Sequence, residues 1–361
     1  MKVLVLGHSA GQIGGVSNFL RLMERRGLAG VTVEMMTVGP RDGEKGGLVR
    51  LIRLLKDYAT FVQSMGKSYD CIHMNPSLDQ RSFVRTLVFI LICILFGRSF
   101  LVFFRGWDWK AHEHFFVRTT PGARVTQWMV GKASCFIVLA PAFEEALRRV
   151  YPTIPIHVIS TMFDGEVMPK EGCAPLTSPQ ILFMSRFIPA KGGREAIDAF
   201  VQIRERFPDA VLRMAGDGPS RADWEAHARS YGARAEGVRF IGYVRGETKT
   251  AALAASNIFV MPTSHPEGMP NALMEAMGAG LIPIVTQAGG TFDAIKFGEL
   301  GYMLTEPEPV QIEEAVTRIM SSPEASRQMS ESIKVHAWKN FEASAVIDRI
   351  GTIYLSLAKP A

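Results

Sequence analysis

Short aliphatic runs alternate with longer amphipathic stretches along the whole chain, and this alternation constrains the fold more than any other feature. Val3–Leu6, Val31–Thr37, Cys71–Met74, Phe100–Phe104, Phe136–Leu139 and His157–Ile159 read as strands. A second series follows at Gln180–Met184, Val211–Ala215, Val238–Ile241, Ile258–Met261 and Ile282–Val285. Helical patterns lie between most of them, among them Val16–Arg26, Glu144–Val150, Arg194–Arg206 and Asn271–Gly278. Strand–helix alternation argues for parallel sheets with helices on both faces, an α/β chain. At about 100–200 residues per domain, 361 residues make two domains. The segment PKEGCAPLTSP, Pro169 to Pro179, reads as a linker. The expectation is two doubly wound domains, residues 1–165 and 166–338, with a crevice between them.

Composition excludes disorder, with 47% hydrophobic and 21% charged residues. Charge is unevenly spread. Residues 1–165 hold 20 basic and 12 acidic side chains, a net of +8, whereas residues 166–361 hold 20 and 23, a net of −3. A basic first half points to an anionic partner: membrane phospholipid, a lipid phosphate or nucleic acid. Cys71, Cys93, Cys135 and Cys173 have neither paired nor metal-ligand spacing, which predicts a reducing compartment. The opening MKVLVLG is too short an apolar core for a secretory signal. A cytoplasmic protein is expected. Leu87–Phe96 is a run of ten apolar residues flanked by Arg81, Arg85 and Arg98. A membrane span needs about 20, so the run is a core helix feeding a strand or a helix lying on a bilayer.

Chemistry concentrates at strand ends. After Ile258–Met261 comes a loop with Pro262, Pro266, Gly268 and Pro270, and then a helix. Pro270 suits the first helical position. Amides of Gly268, Met269 and Asn271 would then open the helix at its positive end, an anion site. Glu267 precedes that end and Glu275 lies one to two turns inside it. After Gln180–Met184, the segment SRFIPAKGG places Arg186 and Lys191 around a turn at the carboxyl end of a parallel strand. Two cations there suit a diphosphate, or form a solvated basic turn. AGDGP, with Gly216, is a tight turn that approaches a ligand or ends a strand. Near the N-terminus, Gly14 and Gly15 precede a helix and fit a phosphate approach. The G-x-G-x-x-G spacing is missing, and no acidic residue ends the next strand, which disfavours a dinucleotide-dependent dehydrogenase.

In this order and spacing, the stretches resemble the retaining glycosyltransferases of family 4, which have the GT-B fold: two Rossmann-like doubly wound domains facing across a cleft. The resemblance is strongest from Ile181 to Leu304. E-G-M-P-N-A-L-M-E looks like the family's E-x7-E signature, with Glu267 and Glu275 in its two places. The resemblance implies a closing segment, residues 339–361, that returns to the N-terminal, acceptor-binding domain. Arg186 and Lys191 would hold the diphosphate of a UDP- or GDP-sugar, with Gly14 and Gly15 approaching it from the other domain. Gly216 belongs to this donor region. Tyr243 and Val244 would seat the base. Gly268, Met269, Pro270 and Asn271 would meet sugar and phosphate, Glu275 the ribose hydroxyls, and Glu267 the transferred sugar near its reacting carbon. In such transfer the leaving phosphate takes the acceptor's proton, so positioning and charge stabilisation supply the catalysis.

Two departures from the family pattern stand out. Arg105 occupies the place of a strand-end His, where it would bind a donor phosphate or an acidic acceptor, or else pair with Asp108. Thr161-Met162-Phe163-Asp164 replaces Asn-Gly-Val-Asp. The sequence lacks a clear Asp-x-Asp motif and its histidines lack ligand spacing, so no metal and no cofactor beyond the donor are expected. His112 and His114 read as surface residues. Trp107 and Trp109 read as packing residues or as platforms for a sugar. The expected acceptor is a glycan or lipid-linked glycan, in bacterial surface polysaccharide synthesis. Arg50, Arg53 and Lys56 lie three apart on one helix face, which predicts peripheral contact with an anionic membrane. Nucleic acid is disfavoured, since no binding motif accompanies the charge. Two alternatives stay open: another GT-B nucleotide-sugar enzyme such as an epimerase, and a non-catalytic nucleotide-sugar-binding subunit.

Overall fold

Each strand series builds its own parallel sheet. The computed structural model describes residues 1–7, 14–39, 46–265 and 268–358. The chain divides into two units, Met1–Thr161 with Ala343–Ala361, and Met162–Glu342.

In the first unit the strands are β1 (Lys2–Gly7), β2 (Thr32–Thr37), β3 (Cys71–Met74), β4 (Ser77–Leu78), β5 (Phe100–Phe103), β6 (Gly106–Trp107), β7 (Cys135–Val138) and β8 (Ile156–Val158). Six of them form a parallel sheet in the order β2-β1-β3-β5-β7-β8, and β4 pairs with β6. The helices are α1 (Gly15–Arg26), α2 (Gly47–Ser64), α3 (Gln80–Leu95), α4 (Trp109–His112), α5 (Pro121–Val130) and α6 (Pro141–Val150). Right-handed crossovers put α2, α3 and α5 on one face of the sheet and α1 on the other.

In the second unit, β9 (Gln180–Met184), β10 (Val211–Ala215), β11 (Val238–Gly242), β12 (Ile258–Met261), β13 (Ile282–Thr286) and β14 (Tyr302–Leu304) form a parallel sheet ordered β11-β10-β9-β12-β13-β14. Its helices are α7 (Gly193–Arg206), α8 (Arg221–Ser230), α9 (Glu247–Ala254), α10 (Asn271–Ala279), α11 (Thr291–Ala294), α12 (Pro309–Ser321) and α13 (Pro323–Phe341). The last helix, α14 (Ala343–Leu357), belongs to the first unit, where it packs against α1.

The division falls at 161/162 and 342/343 rather than at 165/166 and 338/339. Residues 339–341 continue α13, and the chain changes unit at Glu342, which is extended. Pro169–Pro179 is not a free linker. Asn257 clasps it, donating through Nδ2 to the carbonyls of Pro175 and Ser178, both at 2.9 Å, while Ala174 N–H donates to Ser256. The apolar run in α3 is neither wholly buried nor wholly exposed. Phe83, Phe89, Ile90 and Cys93 face the core, whereas Val84, Val88, Leu91 and Leu95 face outward.

Candidate functional site

In a doubly wound sheet, ligands bind at the carboxyl ends of the strands where the winding reverses. In the second unit the chain begins at β9, winds out through β10 and β11, and then returns to the other side at β12. The reversal therefore lies between β9 and β12, whose following loops carry Arg186, Lys191 and the segment leading to α10.

These loops are locked together by backbone. The carbonyl of Ala190, in the turn that carries Lys191, accepts from Thr263 Oγ1 at 3.0 Å, from Ser264 N–H at 3.0 Å and from His265 N–H at 3.1 Å. Thr263 in turn accepts from Thr286 Oγ1 at 2.5 Å. Gly192 is left-handed, φ +77°, and a Cβ there would lie 2.1 Å from the Pro262 carbonyl oxygen. Phe187, fully buried against Trp224, anchors the Arg186 turn and leaves Arg186 exposed. The AGDGP turn fastens to the same segment: Ser185 N–H donates to Ala215 at 3.1 Å and Phe187 N–H to Asp217 at 2.9 Å. A Cβ on Gly216 would sit 1.9 Å from the Ser185 carbonyl oxygen. This loop-to-loop packing accounts for the glycine.

Gly216 N–H donates to Gly242 at 2.7 Å, which brings in the loop with exposed Tyr243 and buried Val244. That loop leads into α9, whose Lys249 Nζ donates to Glu275 Oε1 at 2.7 Å. Glu275 is buried on α10, and Lys249 is four-fifths buried. Sequence reasoning missed Lys249. Pro270 is not the first helical residue but the cap before it. Its carbonyl accepts from Leu273 and Met274 N–H, so the helix starts at Asn271. Gly268 accepts from Gly290 N–H at 2.7 Å, which ties this entry and neighbouring Met269 to the loop after β13. The second unit thus collects Arg186, Lys191, Gly216, Tyr243, Val244, Gly268–Asn271 and Glu275 on the loops after the carboxyl ends of its strands and on α10. Glu267 lies outside the described residues.

Phe163 explains the departure at Thr161–Asp164. Its ring packs against Gly278, where a Cβ would come within 2.8 Å, and against Trp338. The segment there is an apolar plug.

Arg105, Gly14 and Gly15 are in the first unit. Gly15 opens α1, and a Cβ on Gly14 would meet nothing within 4 Å. Arg105 does not pair with Asp108, whose Oδ1 caps α4 by accepting from Lys110 N–H at 2.8 Å. Instead its Nε donates to Asn75 Oδ1 at 2.8 Å, and its Cζ lies 3.6 Å from the ring centres of Phe19 and Phe103. One terminal nitrogen, Nη2, is buried without a hydrogen-bond partner among the described residues. Burial pulls the guanidinium down to about 9, so it remains charged at neutral pH. His112 is not a surface residue. It is buried and stacks on Trp107, itself stacked on Phe143 at 4.6 Å, whereas His114 and Trp109 are exposed. Among the described residues no group of three His, Cys, Asp or Glu could hold a metal ion. No helix there is long and apolar enough to cross a membrane.

Residues 166–336 match the family model of glycosyl transferases group 1. Across 99% of the chain, the fold superposes on sucrose-phosphate synthase from Thermosynechococcus elongatus, with a TM-score of 0.74, 19% identity and 98% of that chain covered. It also superposes on Anabaena HepE in complex with UDP, with a TM-score of 0.74, 17% identity, and 99% and 100% covered. Residues 166–336 are thus similar to the group 1 glycosyl transferases, and the fold is of the GT-B type. Among curated relatives, glycogen synthase of Mycobacterium tuberculosis is 23% identical over 64% of this chain and 56% of its own. Phosphatidyl-myo-inositol mannosyltransferase of Mycobacterium leprae is 24% identical over 51% and 48%. The chain spans about half the length of these relatives.

Proposed function

We propose that the protein is a retaining hexosyltransferase that moves a sugar from a UDP- or GDP-sugar to a glycan or lipid-linked glycan. Bacterial surface polysaccharide synthesis is its setting, at the cytoplasmic face of the membrane through its basic N-terminal half. The observation that carries the donor site is the reversal point in the second sheet. The cation-bearing loop after β9 and the Gly/Pro-rich loop after β12 flank it, and both hydrogen-bond through Ala190.

In this reading Arg186 binds diphosphate oxygens through its fork, and Lys191 adds a compact charge. The entry to α10 offers its positive end to the same anion, with Gly268 to Asn271 against sugar and phosphate. Glu275, held by Lys249, accepts from the ribose hydroxyls. Tyr243 and Val244 flank the base. Glu267 contacts the transferred sugar, and Arg105 offers its unpaired nitrogen to a donor phosphate or an acidic acceptor. Cations and a helix end do the work a metal ion would otherwise do, so metal is dispensable. The test is a thermal-shift screen against UDP, GDP, ADP and their sugars, first in chelator and then with magnesium. A shift with one diphosphate in chelator is expected, retained by Glu267→Ala while its sugar transfer is lost. No shift with any nucleotide removes the donor-site assignment.

A further inference from the structure

The outward faces of α2, α3 and α5 carry large apolar side chains in an ordered pattern. On α3, Val84, Val88, Leu91 and Leu95 fall at i, i+4, i+7 and i+11, one stripe, and are between 37% and 73% exposed. On α2, Leu48, Leu51, Ile52 and Leu55 repeat the pattern at i, i+3, i+4 and i+7, all exposed. On α5, Val125 and Trp128 stand outward. The three helices are neighbours on one face of the first sheet, with α3 packed against both others. A water-soluble surface rarely gathers this much aliphatic area without a partner.

The charges here are of one sign. Arg50, Lys56, Arg81, Arg124 and Lys132 are exposed and make no ion pair among the described residues. The nearby acids are committed elsewhere. Asp57 is buried, holding Arg53 and the amide of Gly39. Asp79 caps α3 through Ser82 N–H, and Glu113 pairs with Arg118. From Gln80 to Trp107 the sequence has no acidic residue. A second copy of this chain would set cation against cation, which disfavours self-pairing.

We propose that this face docks on an anionic bilayer leaflet, with the α2 and α3 stripes entering the acyl boundary and the five cations at the headgroups. The inference rests on the lipid-linked acceptor reading and changes its physical basis. Arg53 is tied to Asp57 and Arg85 is largely buried, so the apolar stripes, more than the basic helix face, supply the binding.

The test is flotation of the full chain with phosphatidylcholine vesicles, and with vesicles of equal parts phosphatidylcholine and phosphatidylglycerol. Partition onto the mixed vesicles should exceed that onto neutral ones at least tenfold and fall with salt. Arg81→Gln should weaken it about fivefold, the equivalent of one surface cation. Leu48→Ser with Leu95→Ser should abolish it without changing the melting temperature, since these side chains are 71% and 73% exposed. Equal partition onto both vesicles overturns the proposal, and so does wild-type binding by the double variant. Light scattering that shows a dimer dispersed by the double variant overturns it in favour of a second copy. Nucleotide thermal shifts on the same samples separate the two ideas. Vesicle failure with an intact shift removes the docking surface alone. Vesicle binding without any shift removes the transferase reading and leaves the surface.

Discussion

Lys249 and Glu275 are 26 residues apart and meet because α9 packs beside α10. Breaking a buried ion pair from one side leaves an uncompensated charge, whereas replacing both partners by apolar groups costs less. Lys249→Met should therefore lower stability by about 2 kcal/mol, and Lys249→Met with Glu275→Leu should recover part of it. Thermal melts of these two variants and of Glu275→Leu alone check this, and full additivity would show that the pair is not coupled. His112 makes a second residue-scale prediction. Burial holds its imidazole below the ordinary 6.5, so from that pH downward the unfolded chain takes up a proton that the folded chain resists. Stability is then fully present above 6.5 and falls as the solution is acidified. His112→Phe, packed between Trp107 and Phe116, should flatten the acid limb of a melting-temperature profile by at most about 1.4 kcal/mol per pH unit. His73, His157 and His336, each also lowered chiefly by burial, leave a remaining slope. An unchanged limb would show that His112 keeps its ordinary affinity for protons in the folded chain.

At the scale of elements, α14 completes the first unit from the far end of the chain. Val346, Ile347, Ile350 and Ile353 are at most 5% exposed, and Tyr354 hydrogen-bonds His73 of β3. Four such aliphatic side chains are worth roughly 6–12 kcal/mol, comparable to the whole stability of a domain. A stop after Glu342 should leave residues 1–161 open to limited proteolysis while 162–342 resists. Equal resistance of both fragments would show that α14 is dispensable. Buried strands were legible because they are local runs of apolar residues: Ile258–Met261 matches its observed bounds, and Val3–Leu6 falls one residue short at each end. Tyr302–Leu304 was not, being a three-residue strand at the sheet's edge. The turns bearing Arg186 and Gly216 were legible because they follow strands directly. The Lys249–Glu275 pair was not, since it is purely tertiary. Nor could the sequence assign sides to α3, where an all-apolar run has no polar face to point outward.

At the scale of the molecule, both sheets are wound alike: each starts near its middle, runs out to one edge, and returns to the other side of its first strand. Each therefore has one reversal point. In the first sheet it lies between β1 and β3. In the second it lies between β9 and β12. A rival place for a ligand exists in the second unit, an open cavity of about 740 Å³ lined in part by Lys296, His336 and Lys339. It is basic too. However, it lies on α13 and the turn after α11, away from the carboxyl ends of β9 and β12, and it lacks loops locked to one another as those around Ala190 are. Hydrogen exchange decides between them. A diphosphate at a hundred times its Kd adds about 2.7 kcal/mol to the state that binds it. Amides of residues 186–192, 216–220, 242–246 and 268–274 should then exchange up to about 100-fold more slowly, while those of α13 change little. Slowing confined to residues 296–300 and 328–340 would move the anion to the rival cavity and leave the reversal point without a ligand.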